Sequence, residues 1–565
     1  MTPMIGSSSM GKQSSPGSRG TRLATLVAAA LFTTVWFALL AQRSLFDPDE
    51  GRYAEIPREM AAGGDWVVPH LDGLVYLEKP PLQYWLSALT YRAFGPNEFT
   101  ARLCTGLAGY ASLGLVFFTA LRLWGRRAAC RAVLLCMAST LFVLLAHQLT
   151  LDMLLTACLT ACLTCYLMAE SQVTASREAS RRGRLWLLGC WAAMALAVLA
   201  KGLIGLLIPG STLLIYALWQ RDFGVLRRLN LRAGLPLFAL IGAPWFIAAA
   251  RANRAFLDFF FVREHFQRYF TPIEHRTEPW WFFVPVLTVG ILPWLPQAAR
   301  AMALPLRAPA AHYAFEPARV LYAWCAFVLI FFSISHSKLI PYILPAVPAL
   351  ALLCAAPTTA RVMRRELILG GVLSLGSCLG VLAYIGGLWT TSAGRQLEVQ
   401  SAPMLRVTAL LLFAAAMGCF ELLRRKRPEA SLAALCVGWF LAIASLLVAA
   451  GTVQGSFSSK DAAVELRRLA NPSSPVFSVQ TYEQSFTFYL GREIVLVDYR
   501  GELSLGLSQR PEGGIASLAQ FSSRWRSLTD GYALMPPDTR DRLLGQGLPL
   551  RELARFPHEV LVSRR

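Results

Sequence analysis

Apolar residues along this chain gather in runs of about twenty, the length at which an α-helix crosses the hydrocarbon core of a bilayer. Polar residues between the runs are mostly confined to short loops. The runs predict thirteen membrane-spanning helices, at approximately 21–42, 101–123, 128–147, 150–170, 184–200, 202–219, 233–250, 280–299, 318–334, 339–356, 366–390, 404–423 and 430–451. The sequence therefore predicts a polytopic α-helical membrane domain over residues 1–450.

The pattern changes after residue 451, where short apolar runs alternate with amphipathic helical ones. Strands are predicted at 475–480, 493–499, 531–536 and 559–564. Helices are predicted near 459–470, 481–490, 514–527 and 537–546. Residues 451–565 are thus expected to form a small α/β domain. It has no glycine-rich phosphate loop and no clustered metal ligands, so the sequence favours a structural or lipid-contacting role for it.

Composition and charge support a membrane protein and give its orientation. Of the 565 residues 55% are hydrophobic and 16% charged, against roughly a quarter charged in soluble proteins. The net charge of +20 comes largely from arginine clusters after alternate spans, for example 122–131, 221–232 and 424–427. The positive-inside rule makes these loops cytoplasmic. The excess positive charge therefore reflects topology, and we expect no nucleic-acid partner.

One long loop, residues 43–100, breaks the pattern of short connections and is predicted to lie on the outer face. It opens with FDPDEGRYAEIPREM. Asp47, Pro48 and Glu50 have the spacing of a capping box, which would give Asp47 and Glu50 only a helix-starting role. Asp49, Arg52 and Tyr53 share one helical face, so an acid and a cation would be presented together at the bilayer surface. On spacing alone, a functional and a structural role for Asp49 are equally supported.

A second motif in the same loop, Glu78-Lys79-Pro80-Pro81, precedes the predicted helix LQYWLSALTYRAF. The free N–H groups of a helix N-terminus beside a lysine form an anion site, which suits phosphate above all. The structural alternative is a lysine that extends to the membrane interface. The adjacent Glu78 favours the anion site.

Further polar residues are predicted to reach the same outer face. Asp152 begins the fourth span and Lys201 ends a helical hairpin, and an ionisable residue within a span is a functional hypothesis by default. Helix initiation is the alternative role for Asp152. A basic and aromatic loop at 251–279 and the segment SHSKLIPYILP add five candidates, which are Arg263, His265, Arg268, Lys338 and Tyr342.

These residues are predicted to converge on a pocket for a negatively charged lipid phosphate, with acids to orient or activate a partner. The sequence contains no Walker motif, no Rossmann glycine pattern and no Ser-His-Asp order. We expect no obligatory cofactor. The alternative is one divalent metal, Zn²⁺ or Mg²⁺, held by Glu78 and His265, although their spacing offers no closed ligand set.

Several segments together resemble the lipid A aminoarabinose transferases, membrane glycosyltransferases of the GT-C type related to protein O-mannosyltransferases. The resemblance covers residues 21–355 in order and leaves 451–565 unmatched. It rests on FDPDEGRYAEIPREM, GDWVVPHLDGLVYLEKPPLQYW, TLDMLLTA, AKGLIGLLIPG, FVREHFQRYFT and SHSKLIPYILP.

The resemblance implies transfer of 4-amino-4-deoxy-L-arabinose from undecaprenyl phosphate to a phosphate of lipid A, with resistance to polymyxin and other cationic peptides. It implies a site on the periplasmic face of the bacterial inner membrane. Asp49 and Asp152 match acids near the reacting centre, and Arg52 and Lys79 match positions that hold the donor phosphate. We expect inversion at the sugar, with the acids pairing with the sugar amine or orienting the attacking oxygen, and a monomeric enzyme.

Two other functions remain open from the sequence. A transferase of mannose or another sugar, acting on protein or a glycolipid, would share the acids of the first loop. A flippase for lipid-linked sugars would also have many spans and a cationic cavity. A flippase should, however, show paired broken helices or internal repeats, and the sequence shows neither.

Overall fold

The long apolar runs form a bundle of helices. The computed structural model describes residues 17–176, 181–267, 269, 271, 278–303, 315–388, 394–499 and 501–564. Within these ranges nine helices are long and apolar enough to cross a membrane. They are Leu23–Ala41, Glu98–Trp124, Leu151–Gln172, Arg181–Lys201, Leu231–Ala252, Pro317–Ile334, Ala360–Ile385, Gly394–Arg424 and Pro428–Thr452.

The other four predicted spans are helical but bent, broken or short. Residues 128–147 form the helices Arg126–Met137 and Thr140–Ala146, which meet at 70°. Residues 202–219 and 339–356 form the shorter apolar segments Ile204–Gln220 and Ile340–Ala355. The segment at 280–299 divides into Phe283–Gly290, Leu292–Trp294 and Leu295–Ala303. All thirteen apolar runs are thus helical within the described chain, whereas the count of thirteen spans stays a prediction.

The first loop folds into two helices, Asp49–Gly63 and Leu82–Phe94, as its amphipathic pattern predicted. A hairpin of β1 (His70–Leu71) and β2 (Leu74–Val75) connects them. Much of the face of Asp49–Gly63 is buried, including Tyr53 and Ile56. The helix therefore packs within the protein and does not lie at the membrane surface.

The predicted capping box at the start of this helix is wrong. The N-cap is Pro48, no side chain caps the helix, and the Asp47 carboxylate accepts hydrogen bonds from Ser485. The fully buried Glu50 carboxylate instead accepts from Arg102 Nε and Nη2, at 2.8 and 2.9 Å, and also pairs with Arg43. Tertiary charge pairing outcompetes the local cap because a buried carboxylate needs a buried counterion.

The α/β domain after residue 451 has a six-stranded sheet, in the order β5-β4-β3-β6-β8-β7. The predicted strands are confirmed as β3 (Val476–Val479), β4 (Val495–Val497), β6 (Tyr532–Met535) and β8 (Val560–Ser563). The sequence missed β5 (Gly514–Ile515) and β7 (Arg551–Arg555). The domain's α-helices are Lys460–Leu469, Gln484–Leu490, Ser504–Gln509, Leu518–Ser527 and Pro537–Gly545. Strands β5, β4, β3 and β6 are parallel, whereas β8 runs antiparallel to both of its neighbours, β6 and β7.

The C-terminal domain packs on the first loop, so both lie on the same side of the bundle, as the arginine pattern predicted. Asp72 Oδ1 accepts from the backbone N–H of Ile494 at 2.8 Å. Lys460 Nζ pairs with Glu98 at 2.6 Å. The helix Asp49–Gly63 therefore lies between the membrane core and the sheet domain.

Gly51 marks the closest approach between the two parts. A Cβ at this position would lie 2.2 Å from the backbone nitrogen of Ser485 and 2.6 Å from the carbonyl carbon of Gln484. Gly51→Ala is therefore expected to loosen the docking of the C-terminal domain, with a cost on the order of 1–3 kcal/mol. Limited proteolysis between Thr452 and Lys460 should become faster. Gly63→Ala is the control, because a Cβ there meets nothing within 4 Å, and unchanged proteolysis of Gly51→Ala would contradict the prediction.

Candidate functional site

A polar cavity of about 780 Å³ lies between the first loop, the membrane helices and the C-terminal domain. Its wall contains Asp49, Asp152 and seven of the other predicted site residues, which are Arg52, Tyr53, Glu78, Lys79, Lys201, Arg263 and Tyr342. The structure thus brings together residues that are up to about three hundred positions apart in sequence. Asp152 and Lys201 come from the ends of two spans, Leu151–Gln172 and Arg181–Lys201.

Two ion pairs cross the floor of this cavity. Lys79 Nζ lies 2.9 Å from Glu264 Oε2 and donates to the Glu78 carbonyl at 3.0 Å. Lys201 Nζ pairs with Asp152 and lies 4.8 Å from the centroid of the Tyr342 ring. The sequence placed both lysines correctly but missed Glu264, an acid within a basic and aromatic segment. Each lysine has an acidic partner that an incoming phosphate could replace.

A second cavity, of about 320 Å³, adjoins the first at this same floor. Lys79, Asp152, Lys201, Glu264 and Tyr342 line both cavities. The rest of the second cavity's wall is mainly apolar, with Leu155, Leu203, Ile204, Leu207, Phe331 and Phe332. The second cavity is thus an apolar channel that ends at Lys79 and Lys201, and this is the chemistry of a site for a lipid carrying a phosphate head group.

The helix of the first loop presents its acid and its arginine to the polar cavity, as predicted. Arg52 Nη1 lies 3.1 Å from Asp49 Oδ1, and Arg52 Nη2 lies 2.5 Å from Glu502 Oε2 of the C-terminal domain. The Asp49 side chain remains 44% exposed. Arg52 therefore connects the two halves of the site, while Asp49 keeps a free oxygen toward the cavity.

Glu78 lies beside Lys79 and accepts a hydrogen bond from the Tyr76 hydroxyl at 3.0 Å. Burial, and next the negative charge of Glu264, raise the pKa of Glu78 to about 7, although Lys79 opposes the shift. Glu78 can therefore exchange a proton near neutral pH.

The Glu78 shift predicts a change of stability with pH. In the unfolded chain Glu78 titrates near 4.5, so the folded protein binds more protons between pH 4.5 and 7. The contribution of Glu78 to the free energy of unfolding is thus present below pH 4.5 and is lost as the pH rises through 7. As the pH rises from 5 to 8, the wild type should lose stability relative to Glu78→Gln, on the order of 2–3 kcal/mol. Thermal unfolding at the two pH values measures the difference, and a constant difference would contradict the assignment.

Three predicted residues have a different standing. Lys338 is buried and donates to the backbone carbonyls of Glu278 and Ser335, at 2.9 and 2.5 Å, so it anchors a loop. Arg268 lies outside the described residues, and only the backbone of His265 is described. Among the described side chains no three His, Cys, Asp or Glu residues come together as a metal site, and the pairing of Glu78 with His265 stays a prediction.

The C-terminal domain forms one wall of the polar cavity, which the sequence did not predict. The wall residues follow the carboxyl ends of β3 and β4 and occupy the turn between β7 and β8; among them are Tyr482, Glu483, Gln484, Tyr499, Glu502 and Glu559. The carboxyl edge of parallel strands is where α/β sheets bind ligands. That rule, applied to the predicted strands, is the signal that could have found these residues.

A helical membrane core, an apolar channel that ends at two lysines and an adjoining polar cavity together define a multi-pass membrane enzyme that acts on a lipid-linked substrate. The family model described as dolichyl-phosphate-mannose-protein mannosyltransferase matches residues 22–260. The model described as aminoarabinose transferase C-terminal domain matches residues 462–564. The protein is therefore a membrane glycosyltransferase.

Similar proteins specify the family. The undecaprenyl phosphate-alpha-4-amino-4-deoxy-L-arabinose arabinosyl transferase of Pseudomonas paraeruginosa is 33% identical over 526 residues, covering 90% of each chain. Transferase 1 of Sodalis glossinidius is 35% identical over 339 residues, 60% of this chain and 59% of that protein. The crystal structure of ArnT from Cupriavidus metallidurans bound to undecaprenyl phosphate matches with a TM-score of 0.88 and 33% identity, covering 96% of this chain and 98% of that one. The chain belongs to the undecaprenyl phosphate-aminoarabinose arabinosyl transferase family.

Proposed function

We propose that this protein transfers 4-amino-4-deoxy-L-arabinose from undecaprenyl phosphate to a phosphate group of lipid A. The reaction takes place on the periplasmic face of the bacterial inner membrane and protects the cell from polymyxin and other cationic peptides. The observation that carries the proposal is the shared floor of the two cavities, where Lys79 and Lys201 stand between an apolar channel and a polar chamber.

The two cavities divide the substrates by polarity. The apolar channel suits the polyprenyl chain of the donor, because burying its hydrocarbon removes apolar surface from water. The donor phosphate would then lie at Lys79 and Lys201, displacing their carboxylate partners. The polar chamber, about 780 Å³ in volume, receives the sugar and the phosphate of the acceptor. In this arrangement the sugar's C1 lies between two phosphates.

The reaction is a direct displacement at C1 of the sugar. An oxygen of the acceptor phosphate forms a bond to C1, and the bond from C1 to the donor phosphate oxygen breaks with its electron pair remaining on that oxygen. The acceptor is already anionic, so no strong base is required. The main task of the protein is to align the two phosphates and to stabilise the charge on the departing one. Lys79 and Lys201 supply the positive charge that stabilises the departing phosphate, so no step requires a metal. The anomeric configuration of the sugar inverts.

Asp49 and Asp152 orient the groups that react. Asp152 positions Lys201 at the cavity floor through its ion pair before the donor binds, and it lies beside the reacting groups once the donor phosphate has displaced it from the lysine. Asp49 shares Arg52 with Glu502 and keeps an exposed carboxylate toward the chamber. Arg52 and the exposed Arg263 add positive charge for the acceptor phosphate.

Expression in a polymyxin-sensitive strain that lacks its own transferase tests the proposal. Mass spectrometry of lipid A should show the aminoarabinose adduct with the wild type and none with Asp49→Ala or Asp152→Ala. The matched control is Asp541→Ala, whose side chain is 60% exposed on the C-terminal domain and which should retain the adduct. A full adduct with Asp49→Ala would remove its role, and no adduct with membrane-inserted wild type would refute the sugar or the acceptor.

A further inference from the structure

The polar cavity contains more acidic than basic residues, although its proposed substrates carry phosphates. Four lysine and arginine residues line it, together with eight aspartate and glutamate residues. Lys79, Lys201 and Arg52 each pair with acids within the cavity. A site that bound only phosphates would be expected to have the opposite balance. The surplus of acidic residues therefore suits a substrate that also carries a positively charged group.

The acids without a basic partner are concentrated on the side of the C-terminal domain, at Asp47, Glu483 and Glu559. The Asp47 carboxylate accepts from the backbone N–H and hydroxyl of Ser485. Glu483 Oε1 accepts from the Thr481 hydroxyl at 2.8 Å. Among the described residues no lysine, arginine or histidine nitrogen lies within ion-pair distance of these three acids. Asp49 and Asp152, by contrast, are already paired with cations.

Two buried oxygen atoms in the same cavity wall have no hydrogen-bond donor. They are Glu559 Oε2 and Gln484 Oε1, in residues that are 6% and 3% exposed. The Gln484 amide nitrogen donates to Glu502 Oε1 at 2.6 Å, which leaves the amide oxygen available. An unsatisfied buried acceptor costs on the order of 1–3 kcal/mol. These atoms therefore indicate a ligand that donates hydrogen bonds.

An ammonium group fits both observations better than a metal ion or a hydroxyl. It brings three N–H donors and one positive charge. No described group of three acids, histidines or cysteines has the geometry of a metal site, and a hydroxyl would leave the charge uncompensated. Burial, and then the charges of Glu483 and Asp47, raise the pKa of Glu559 to about 8. In the absence of a bound cation Glu559 therefore keeps a proton near pH 7, and a bound ammonium group would replace that proton and compensate the charge of the carboxylate.

We infer that Asp47, Glu483 and Glu559, with the Gln484 amide oxygen, form a subsite for the 4-ammonium group of the donor sugar. The C-terminal domain then selects an amino sugar over a neutral pentose, while the lysines of the membrane domain bind the phosphate. The inference rests on the proposed function and adds to it the residues that determine sugar specificity. Asp47 also docks the domain through Ser485, so docking and sugar selection share one residue.

The test compares two donors with the purified full-length enzyme in lipid nanodiscs containing lipid A. One donor is a short polyprenyl phosphate carrying 4-amino-4-deoxy-L-arabinose, and the other carries L-arabinose with a hydroxyl at C4. The wild type should favour the amino donor by about tenfold or more in kcat/KM, since hydrogen bonds to charged groups contribute about 1.5–3 kcal/mol. Glu559→Gln and Glu483→Gln should each lose most of this preference, because kcat/KM falls much more for the amino donor than for the hydroxy donor.

Three results would overturn the inference. The first is an equal fall in kcat/KM for both donors, which indicates a structural role for the acids. The second is full retention of the amino preference in both variants. The third is a wild type that transfers no amino sugar, in which case the proposed function fails first. Glu512→Gln is the matched control, because its side chain is 73% exposed on the same domain, and it should keep the wild-type preference.

Discussion

Replacing Lys79 with methionine is expected to slow sugar transfer by about 10²–10³-fold, the usual cost of removing one group that stabilises transition-state charge. Lys79 lies at the floor shared by the two cavities, 2.9 Å from Glu264 Oε2. When the bond from C1 to the donor phosphate breaks, negative charge grows on the departing phosphate beside this ammonium group. Methionine keeps most of the apolar stem and removes only that charge.

Single-turnover transfer with a saturating radiolabelled donor measures the effect on the chemical step. The fall should appear in the rate constant more than in donor binding, because the apolar channel still holds the lipid chain. Lys426→Met is the matched control, since Lys426 is exposed in the turn before the last span. This variant should transfer sugar at the wild-type rate. A Lys79→Met rate within about threefold of the wild type would show that the lysine has no part in the displacement.

Local sequence patterns predicted the elements that carry the site but not the partners of its side chains. The EKPPL motif correctly predicted that a helix, Leu82–Phe94, begins just after Lys79. Its partner Glu264 lies 185 residues further along the chain, and no periodicity connects positions that far apart. The ion pair follows from how the membrane helices pack, which a single sequence does not encode in its local pattern.

The capping-box error has the same origin. The spacing of Asp47, Pro48 and Glu50 is a good local signal, and it would hold in an isolated peptide. In the folded protein Arg102, from the first turns of the span Glu98–Trp124, competes for Glu50, and Ser485 competes for Asp47. Burial makes those charge-assisted contacts stronger than a cap exposed to water.

The role of the C-terminal domain was also out of reach from its own residues. Its strand pattern was clear, and four of its six strands were predicted. Glu502 and Glu559 are, however, single acids in loops with no motif around them. They become part of the site only because the carboxyl edge of the sheet docks on the helix Asp49–Gly63. A domain expected to be a passive cap therefore completes the cavity.

Removing the Glu50 carboxylate should destabilise the protein more than any other single change considered above. Glu50 is fully buried and pairs with two buried arginines, Arg43 and Arg102. Burial raises the pKa of the Glu50 carboxyl, but the guanidinium groups of Arg102 and Arg43 outweigh it and hold the pKa well below its usual range. The carboxylate also accepts from the backbone N–H groups of Phe46 and Leu149, at 3.0 and 2.9 Å.

Glu50→Ala would leave two guanidinium groups buried with no counterion and two backbone donors unsatisfied. We expect a loss of about 3–5 kcal/mol, measured as a fall in thermal unfolding temperature and in folded yield from detergent. The matched control is Glu429→Ala, which removes the carboxylate that pairs with Arg131. The Glu429 side chain is 47% exposed, so its removal should cost less than about 1 kcal/mol. Equal losses for the two variants would contradict the role of Glu50. Glu50 follows Asp49 and binds the segment that leads into the Asp152 helix. Glu50→Gln should therefore fold better than Glu50→Ala and still transfer sugar slowly, since the neutral amide no longer holds Asp49 and Asp152 in place.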